Sequence, residues 1–315
     1  MVKGRIKFKD EDNPQIVDNV TAVNPPKSIS EHYWDRKMAA QGTTQLVYVN
    51  GSKSSEGEKK MIKPIPIILA TTNATKIEKF HRFAEIWGWN HHTQLKMYTP
   101  RDLGIENFDC PEIYYTYEAN AALKADYMKY MLKEDPDVKC DFDINKDPYI
   151  IMANDSGLEI PALDNWPGIK TKRCCKGTDM TSAEYILHEI GCKLPKDEDH
   201  DGVMKTSTAA LLTNFDASEA IHWTRCSGKG EQDVNIVHPT CPEKLYTAWD
   251  ICSPYRVYSN GYIAQLILCK TYTQMSIDES ILYGDYIWKS FDSVMKCIEP
   301  EINEYIERRK KEEDV

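Results

Sequence analysis

Residues 65–76 read Ile65-Pro66-Ile67-Ile68-Leu69-Ala70-Thr71-Thr72-Asn73-Ala74-Thr75-Lys76, and this segment sets the architecture of the chain. Its first half is a short apolar run of the kind that forms a buried β-strand. After the polar second half, apolar residues recur at helical spacing, at Ile77, Phe80, Phe83, Ala84 and Trp87. The sequence therefore predicts a strand, a short loop and an α-helix that ends at Gly88.

Further helices and strands are predicted along the rest of the chain. The expected helices are Thr116–Leu132, Ser182–Ile190, Asp285–Ile298 and, separated from the last by Pro300, Glu301–Glu312. The expected strands are Pro148–Ala153, Gly261–Lys270 and a hairpin of Thr206–Thr213 with Glu219–Cys226. Strands that alternate with helices early, followed by a hairpin, predict an α/β fold with a mixed sheet.

Composition suggests three regions and excludes several classes of protein. Residues 1–63 are turn-rich and polar, which predicts a partly ordered N-terminal extension with a linker, followed by an α/β domain at 64–299 and a charged C-terminal helix at 300–315. The net charge of −10 disfavours general nucleic-acid binding, because such binding neutralises phosphates. No apolar run is long enough for a membrane span and no secretory signal is visible, so we expect a cytoplasmic protein. The ten cysteines show no C-x-x-C spacing, so no zinc site is predicted.

The junction between the first strand and helix is the first candidate site. Thr71, Asn73 and Lys76 would bring a hydroxyl, an amide and an ammonium to a helix N-terminus, where backbone N–H groups and the helix dipole favour a phosphate. Ordinary capping of the helix by Thr72 or Asn73, with a solvated lysine, explains the same residues.

Two further segments carry candidate chemistry. Asp155 is expected at the carboxyl end of a buried strand, where open α/β sheets bind ligands and where Mg²⁺ takes one or two carboxylates together with phosphate oxygens. Arg173 follows the rigid turn Trp166-Pro167-Gly168 and can bind phosphate through two parallel hydrogen bonds. A turn-capping aspartate and a solvated basic loop are the alternatives.

Four motifs follow one another in order: Thr71-x-Asn73-x-x-Lys76, Thr116-Tyr117-Glu118-Ala119-Asn120-Ala121-Ala122-Leu123-Lys124-Ala125, Asp155-Ser156-Gly157-Leu158-Glu159-Ile160-x-Ala162-Leu163 and Pro167-Gly168-Ile169-x-x-x-Arg173. Together they resemble the inosine triphosphate pyrophosphatase family, the non-canonical purine NTP pyrophosphatases. Tyr246-Thr247-Ala248-Trp249-Asp250 resembles the base loop of that family, and Thr273-Gln274-Met275-Ser276 resembles its carboxyl-terminal section. The resemblance covers residues 65–298.

The resemblance implies a two-lobed α/β fold with a long central mixed β-sheet, a deep cleft between the lobes and a homodimer. It also implies Mg²⁺-dependent hydrolysis of a nucleoside triphosphate to a monophosphate and pyrophosphate. Asp155 and Lys76 would be catalytic, and Asp155 with Glu118 would bind the metal. The residues assigned to the substrate are Thr71, Asn73, Lys76, Lys124, Ser156, Arg173, Trp249 and Asp250.

The sequence departs from the family at its acidic positions. Ala119 stands where the family has a metal-binding Glu, and Glu118 lies about 100° away around the helix. Asn154 stands where the family usually has a second acid beside Asp155. With fewer carboxylates, we expect weaker affinity for Mg²⁺.

The predicted base pocket departs as well. Thr247 and Ala248 replace a stacking Phe and a Gly, and Gly284-Asp285-Tyr286 aligns with a Ser-His-Arg tripeptide that reads a purine oxo group. We expect Asp285 to accept a hydrogen bond from an amino group and Tyr286 to stack on the base, which would alter base specificity.

Three functions fit these observations. The favoured one is an active pyrophosphatase for another nucleotide, either modified or non-canonical. A catalytically weak or inactive nucleotide-binding relative, acting as a sensor or partner-binding protein, is the alternative. A phosphate-binding α/β protein with different chemistry is the third.

Overall fold

The computed structural model describes residues 63–106, 108–135, 138–195, 200–215, 224–237, 245–257, 263–265 and 270–313. The strands are β1 Ile65–Leu69, β2 Leu95–Tyr98, β3 Tyr149–Ile160, β4 Trp166–Gly168, β5 His200–Thr213, β6 Thr224–Ile236, β7 Cys252–Val257 and β8 Ile263–Gln265. The helices are α1 Ala74–His91, α2 Tyr117–Glu134, α3 Ser182–Lys193, α4 Ile277–Leu282 and α5 Tyr286–Glu313. The predicted N-terminal extension and linker lie outside the described residues, apart from Lys63.

The strands form one mixed sheet in the order β2-β1-β3-β5-β6-β7-β8, with β4 paired to β3. β1 is parallel to β2 and β3, whereas the pairs from β3 onward are antiparallel. The predicted α/β fold with a mixed sheet is therefore confirmed. Two lobes with a deep cleft between them stay predictions.

Helices cover both faces of the sheet. Ile68 and Ile151 pack with Met128 of α2 on one face, while Leu69 and Met152 belong to a second core on the other face, together with residues of α1 and α5. Burial on both faces explains why β1 and the first half of β3 read as continuous apolar runs. No helix among the described residues is long and apolar enough to cross a bilayer.

Helix α1 runs one turn further than predicted, to His91. The chain reverses at His92, which has a φ of 53°, and the Thr93 N–H then donates to the Gly88 carbonyl at 3.0 Å. A Cβ on Gly88 would lie 2.6 Å from the Thr93 carbonyl oxygen. Gly88 is therefore explained by this close return of the chain, and it does not end the helix.

Strand β3 is twice as long as predicted and contains the Asn154–Gly157 segment. Its parallel pairing with β1 ends at Met152, but its antiparallel pairing with β5 continues and sets Asp155 opposite Ser207. Asp155 consequently lies within a strand, just past the carboxyl end of β1. The predicted hairpin of β5 and β6 is present, and residues 219–223 of its predicted second strand lie outside the described part of the chain.

Helix α5 is continuous through Pro300, so the predicted break there is wrong. A proline inside a helix costs about 3 kcal/mol, because it removes a backbone hydrogen bond and crowds the preceding turn. Ile298 and Ile302 flank it and are both fully buried, which offsets that cost through tertiary packing. Of the strand predicted at 261–270, β8 occupies residues 263–265 and residues 266–269 are outside the described range.

Candidate active site

The junction between β1 and α1 forms a cap that leaves a helix N-terminus open. The Asn73 side-chain oxygen accepts the Lys76 N–H at 3.1 Å, and the Thr71 hydroxyl accepts the Asn73 N–H at 3.2 Å. Residues 72–75 are exposed, so an anion can approach the N-terminus of α1, where backbone N–H groups favour one.

Lys76 turns inward from this cap and is not the solvated lysine of the alternative interpretation. Its Nζ donates to the Asn154 carbonyl oxygen at 3.4 Å. Burial, and next the nearby Lys124 ammonium, lower the pKa of Lys76 to about 7, although the Asp155 carboxylate acts in the opposite direction. An arriving phosphate would favour the charged form of this lysine.

Asp155 is buried and is held from helix α2. Its Oδ1 lies 2.7 Å from the Lys124 Nζ, and its Oδ2 accepts a hydrogen bond from the Asn120 Nδ2 at 3.4 Å. Asn120 and Lys124 are four residues apart, so both face β3 from the same side of the helix. The structure thus brings together Lys76, Lys124 and Asp155, three of the predicted site residues.

Glu112 completes this cluster and was not predicted. Its Oε1 lies 2.6 Å from the Lys124 Nζ and its Oε2 lies 2.9 Å from the Arg173 Nη1. Burial tends to raise the pKa of Glu112, but Lys124 and then Arg173 outweigh it and the pKa is lowered. Glu112 precedes α2 in an irregular segment without periodicity or motif, so only the tertiary fold reveals its role.

An oxygen of Glu112 and an oxygen of Asp155 both lie within hydrogen-bonding distance of the Lys124 ammonium, so the two carboxylates face the same positive charge. The described residues contain no group of three or more His, Cys, Asp or Glu side chains that could hold a metal ion. Two carboxylates nevertheless fit Mg²⁺, which commonly takes one or two of them and completes its shell with water and substrate phosphate oxygens.

Glu118, the second predicted metal ligand, faces elsewhere. Its Oε1 accepts a hydrogen bond from the Ser227 hydroxyl at 2.9 Å and its Oε2 lies 3.3 Å from the Lys229 Nζ, both on β6. Asn120 points at Asp155, and a residue two positions earlier lies about 200° away around the helix. The predicted pairing of Glu118 with Asp155 is therefore wrong.

Asn154 and Ser156 lie on the opposite face of β3 from Asp155, because side chains alternate along a strand. The Asn154 Nδ2 donates to the Thr206 hydroxyl at 2.8 Å and to the Thr208 hydroxyl at 3.0 Å. Asn154 therefore belongs to a buried polar layer beneath the site. The predicted contact of Ser156 with substrate stays a prediction.

Arg173 reaches the site because its loop is anchored to β3. The Thr171 hydroxyl accepts the Leu158 N–H at 2.8 Å, and a Cβ on Gly157 would lie 2.3 Å from the Gly168 carbonyl oxygen. The Arg173 side chain is 44% exposed and contacts Glu112, so its guanidinium borders both the carboxylate cluster and solvent.

A surface pocket of about 610 Å³ lies along helix α1. Trp249 and Asp250, which the resemblance assigns to the base, line it together with Thr75 and Lys79 of α1; their contact with a base stays a prediction. The Asp250 carboxylate accepts the Thr247 N–H at 2.7 Å and the Thr273 hydroxyl at 2.7 Å, so it organises the loop as well as lining the pocket. Thr75 directly precedes Lys76, which makes the pocket a neighbour of the phosphate-binding junction.

Asp285 and Tyr286 are fully buried, which contradicts their predicted direct contacts with a base. Asp285 accepts the N–H groups of Ile287 at 2.8 Å and Trp288 at 3.0 Å at the start of α5, and it forms an ion pair with Lys79. The Tyr286 hydroxyl accepts a hydrogen bond from the Trp249 indole, and burial raises its pKa. Neither residue lines the pocket, but each contacts a residue that does, Asp285 through Lys79 and Tyr286 through Trp249.

Comparison with known proteins identifies the family of this chain. The Ham1 family model matches residues 67–235, more than half of the chain, and the chain belongs to that family. This membership confirms the resemblance to the non-canonical purine NTP pyrophosphatases, of which the chain is a divergent member.

Similar sequences and structures were found in bacteria. A dITP/XTP pyrophosphatase of Clostridium perfringens is 30% identical over 126 residues, which are 39% of this chain and 53% of that protein. A dITP/XTP pyrophosphatase of Sulfurovum sp. is 27% identical over 149 residues, 47% of this chain and 62% of that protein. The matches thus span about half to three fifths of the relatives. The Staphylococcus aureus Ham1 protein structure has a TM-score of 0.47 at 20% identity and covers 75% of this chain and 99% of its own.

Proposed function

We propose that this protein hydrolyses a nucleoside triphosphate to the monophosphate and pyrophosphate, with Mg²⁺ as cofactor. One observation carries the proposal: Lys76, Lys124 and Arg173 converge on Glu112 and Asp155 beside the open N-terminus of α1. Cations for a phosphate chain and carboxylates for a metal thus lie within one cluster.

The triphosphate would bind along the β1–α1 junction. Thr71, Asn73 and the free N–H groups of α1 would contact phosphate oxygens, and Lys76 would become fully charged next to them. Arg173, half exposed at the edge of the cluster, would reach the same chain with its planar guanidinium.

The reaction follows from these positions. A water oxygen attacks the α-phosphorus and forms the new P–O bond, while the bond to the bridging oxygen breaks and pyrophosphate leaves with the electron pair. Asp155 orients the water and accepts its proton, and Lys76 and Arg173 neutralise charge on the leaving group. Glu112 and Asp155 would hold Mg²⁺, which when bound supplies positive charge to the phosphate oxygens.

The base is proposed to be an oxo-bearing purine. The relatives named dITP/XTP pyrophosphatases support this choice. The sequence favoured an amino-bearing base because Asp285 was expected to face it, but that carboxylate is buried against Lys79. The predicted homodimer, cytoplasmic location and lack of general nucleic-acid binding stay predictions.

A panel of dITP, XTP and the standard nucleoside triphosphates, assayed with Mg²⁺ and with EDTA, tests the proposal if pyrophosphate, phosphate and monophosphate are scored separately. Asp155→Asn should lower turnover at least about 100-fold. The matched control is Asp164→Asn, an exposed aspartate with a φ of 53°, a conformation that asparagine tolerates. Binding without turnover would favour the inactive relative, and release of phosphate instead of pyrophosphate would indicate different chemistry.

A further inference from the structure

Lys79 lies in the pocket wall but was assigned no role by the sequence. It follows Lys76 by about one turn of α1, and its side chain is 5% exposed. Its ammonium forms an ion pair with Asp285 and lies 5.1 Å from the ring centroid of Trp249 and 5.2 Å from that of Tyr272. The carboxylate and the two ring faces stabilise a positive charge at this buried position.

The ammonium has more hydrogen-bonding capacity than these neighbours use. A lysine carries three N–H donors. Among the described residues, Asp285 is the one hydrogen-bond acceptor that the Lys79 Nζ contacts. Buried donors are nearly always paired, so the pocket beside Lys79 favours a ligand atom that accepts a hydrogen bond.

The charge of the pocket indicates which acceptor fits. Glu78, Asp250 and Asp278 all line it, and the guanidinium of Arg82 is already bound to Asp278 at 2.8 and 2.9 Å. Because these carboxylates repel an anion, a neutral acceptor such as a ring carbonyl fits better. An exocyclic amino group in the same place would put a second hydrogen-bond donor next to the ammonium.

We propose that Lys79 is a specificity-determining residue, whose ammonium donates a hydrogen bond to the carbonyl oxygen of the bound base. The inference rests on the proposed function for the placement of the triphosphate at the neighbouring junction. Asp285 is then a positioning residue, which holds the ammonium in the pocket wall. Lys79 supplies this donor from helix α1.

Inosine and adenosine nucleotides test this assignment, since their bases exchange a carbonyl for an amino group at one position. Calorimetry with the two monophosphates scores base recognition separately from hydrolysis, and release of pyrophosphate from the two triphosphates is measured in parallel. We expect the wild-type chain to bind inosine monophosphate about 10- to 100-fold more tightly than adenosine monophosphate.

Two variants separate base recognition from a purely structural ion pair. The double variant Lys79→Met with Asp285→Asn removes both charges together, which avoids a lone buried carboxylate and keeps an acceptor for the start of α5. Its preference for inosine monophosphate over adenosine monophosphate should fall to about threefold or less. Lys79→Arg retains a cationic donor beside Asp285 and should retain most of the preference. Thermal unfolding checks that both variants fold.

The result is decisive in each direction. A double variant that keeps the wild-type preference overturns the assignment, as does an arginine variant that loses it. Equal or undetectable binding of the two monophosphates by the wild-type chain overturns it too. Preference without pyrophosphate release would leave the base contact standing and would refute the proposed hydrolysis instead.

Discussion

Replacing Lys76 with methionine tests the electrostatics of the phosphate-binding junction without any ligand. Burial, followed by the Lys124 ammonium, lowers the pKa of Lys76 from 10.5 to about 7 in the folded chain. Between pH 7 and 10.5 the unfolded chain therefore binds more protons at this lysine than the folded chain does. The wild-type free energy of unfolding should therefore rise with pH across that window. Below pH 7 Lys76 is charged in the folded chain as well, so the full cost of burying its charge lowers the stability there.

The magnitude follows from the width of the window. Well inside it, each pH unit changes the free energy of unfolding by about 1.4 kcal/mol. Because Lys76 is half protonated at pH 7 in the folded chain, the change between pH 7 and pH 9 is about 2 kcal/mol. The Lys76→Met variant lacks this slope, so its stability relative to wild type should be about 2 kcal/mol more favourable at pH 7 than at pH 9.

Urea unfolding of both proteins at pH 7 and pH 9 measures the difference. The matched control is Lys139→Met, the same substitution at an exposed position. If the difference between wild type and Lys76→Met changes by less than about 0.5 kcal/mol, the described burial of Lys76 is wrong.

Two other predictions concern Glu112 and Pro300. Glu112→Gln should raise the Mg²⁺ concentration for half-maximal pyrophosphate release at least about tenfold. Glu118→Gln should change that concentration less than about twofold, because the Glu118 carboxylate contacts Ser227 and Lys229 of β6. A metal titration of both variants distinguishes the two carboxylates, and equal effects would contradict the proposed site. Pro300→Ala should raise the free energy of unfolding by about 1–2 kcal/mol in urea, because it restores a backbone hydrogen bond inside α5. A variant less stable than the wild-type chain would mean that α5 is not continuous at residue 300.

The sequence predicts well those elements whose signal is local. The β1–loop–α1 unit was found because an apolar run, a capping residue and helical spacing lie within one stretch. The extent of β3 was not predictable, since Asn154–Gly157 reads as a turn until its pairing with β5 is known. The break predicted at Pro300 is wrong for the same reason, because the burial of Ile298 and Ile302 outweighs the local preference of proline.

The same distinction between local and tertiary signals applies to the candidate site. Lys76, Lys124 and Asp155 carry motif signals and meet in the structure. Glu112 carries none, because an isolated carboxylate in an irregular segment looks like any solvated side chain. Asp285 was misplaced because sequence alignment cannot show that Lys79, about 200 residues away, neutralises it in the core.

Alternation along β3 also changes what the asparagine at position 154 means for the metal site. The sequence suggested that an acid missing there weakens the site around Asp155. The Asn154 side chain, however, lies on the other face of the sheet, away from the Lys124 ammonium, where it binds Thr206 and Thr208. A carboxylate at position 154 would lie in that polar layer, and Glu112 already provides the second carboxylate on the face of Asp155. In the part of the chain that the structure describes, Glu112 and Asp155 are thus the two carboxylates paired with Lys124, and Mg²⁺ bound together with a phosphate chain usually takes one or two.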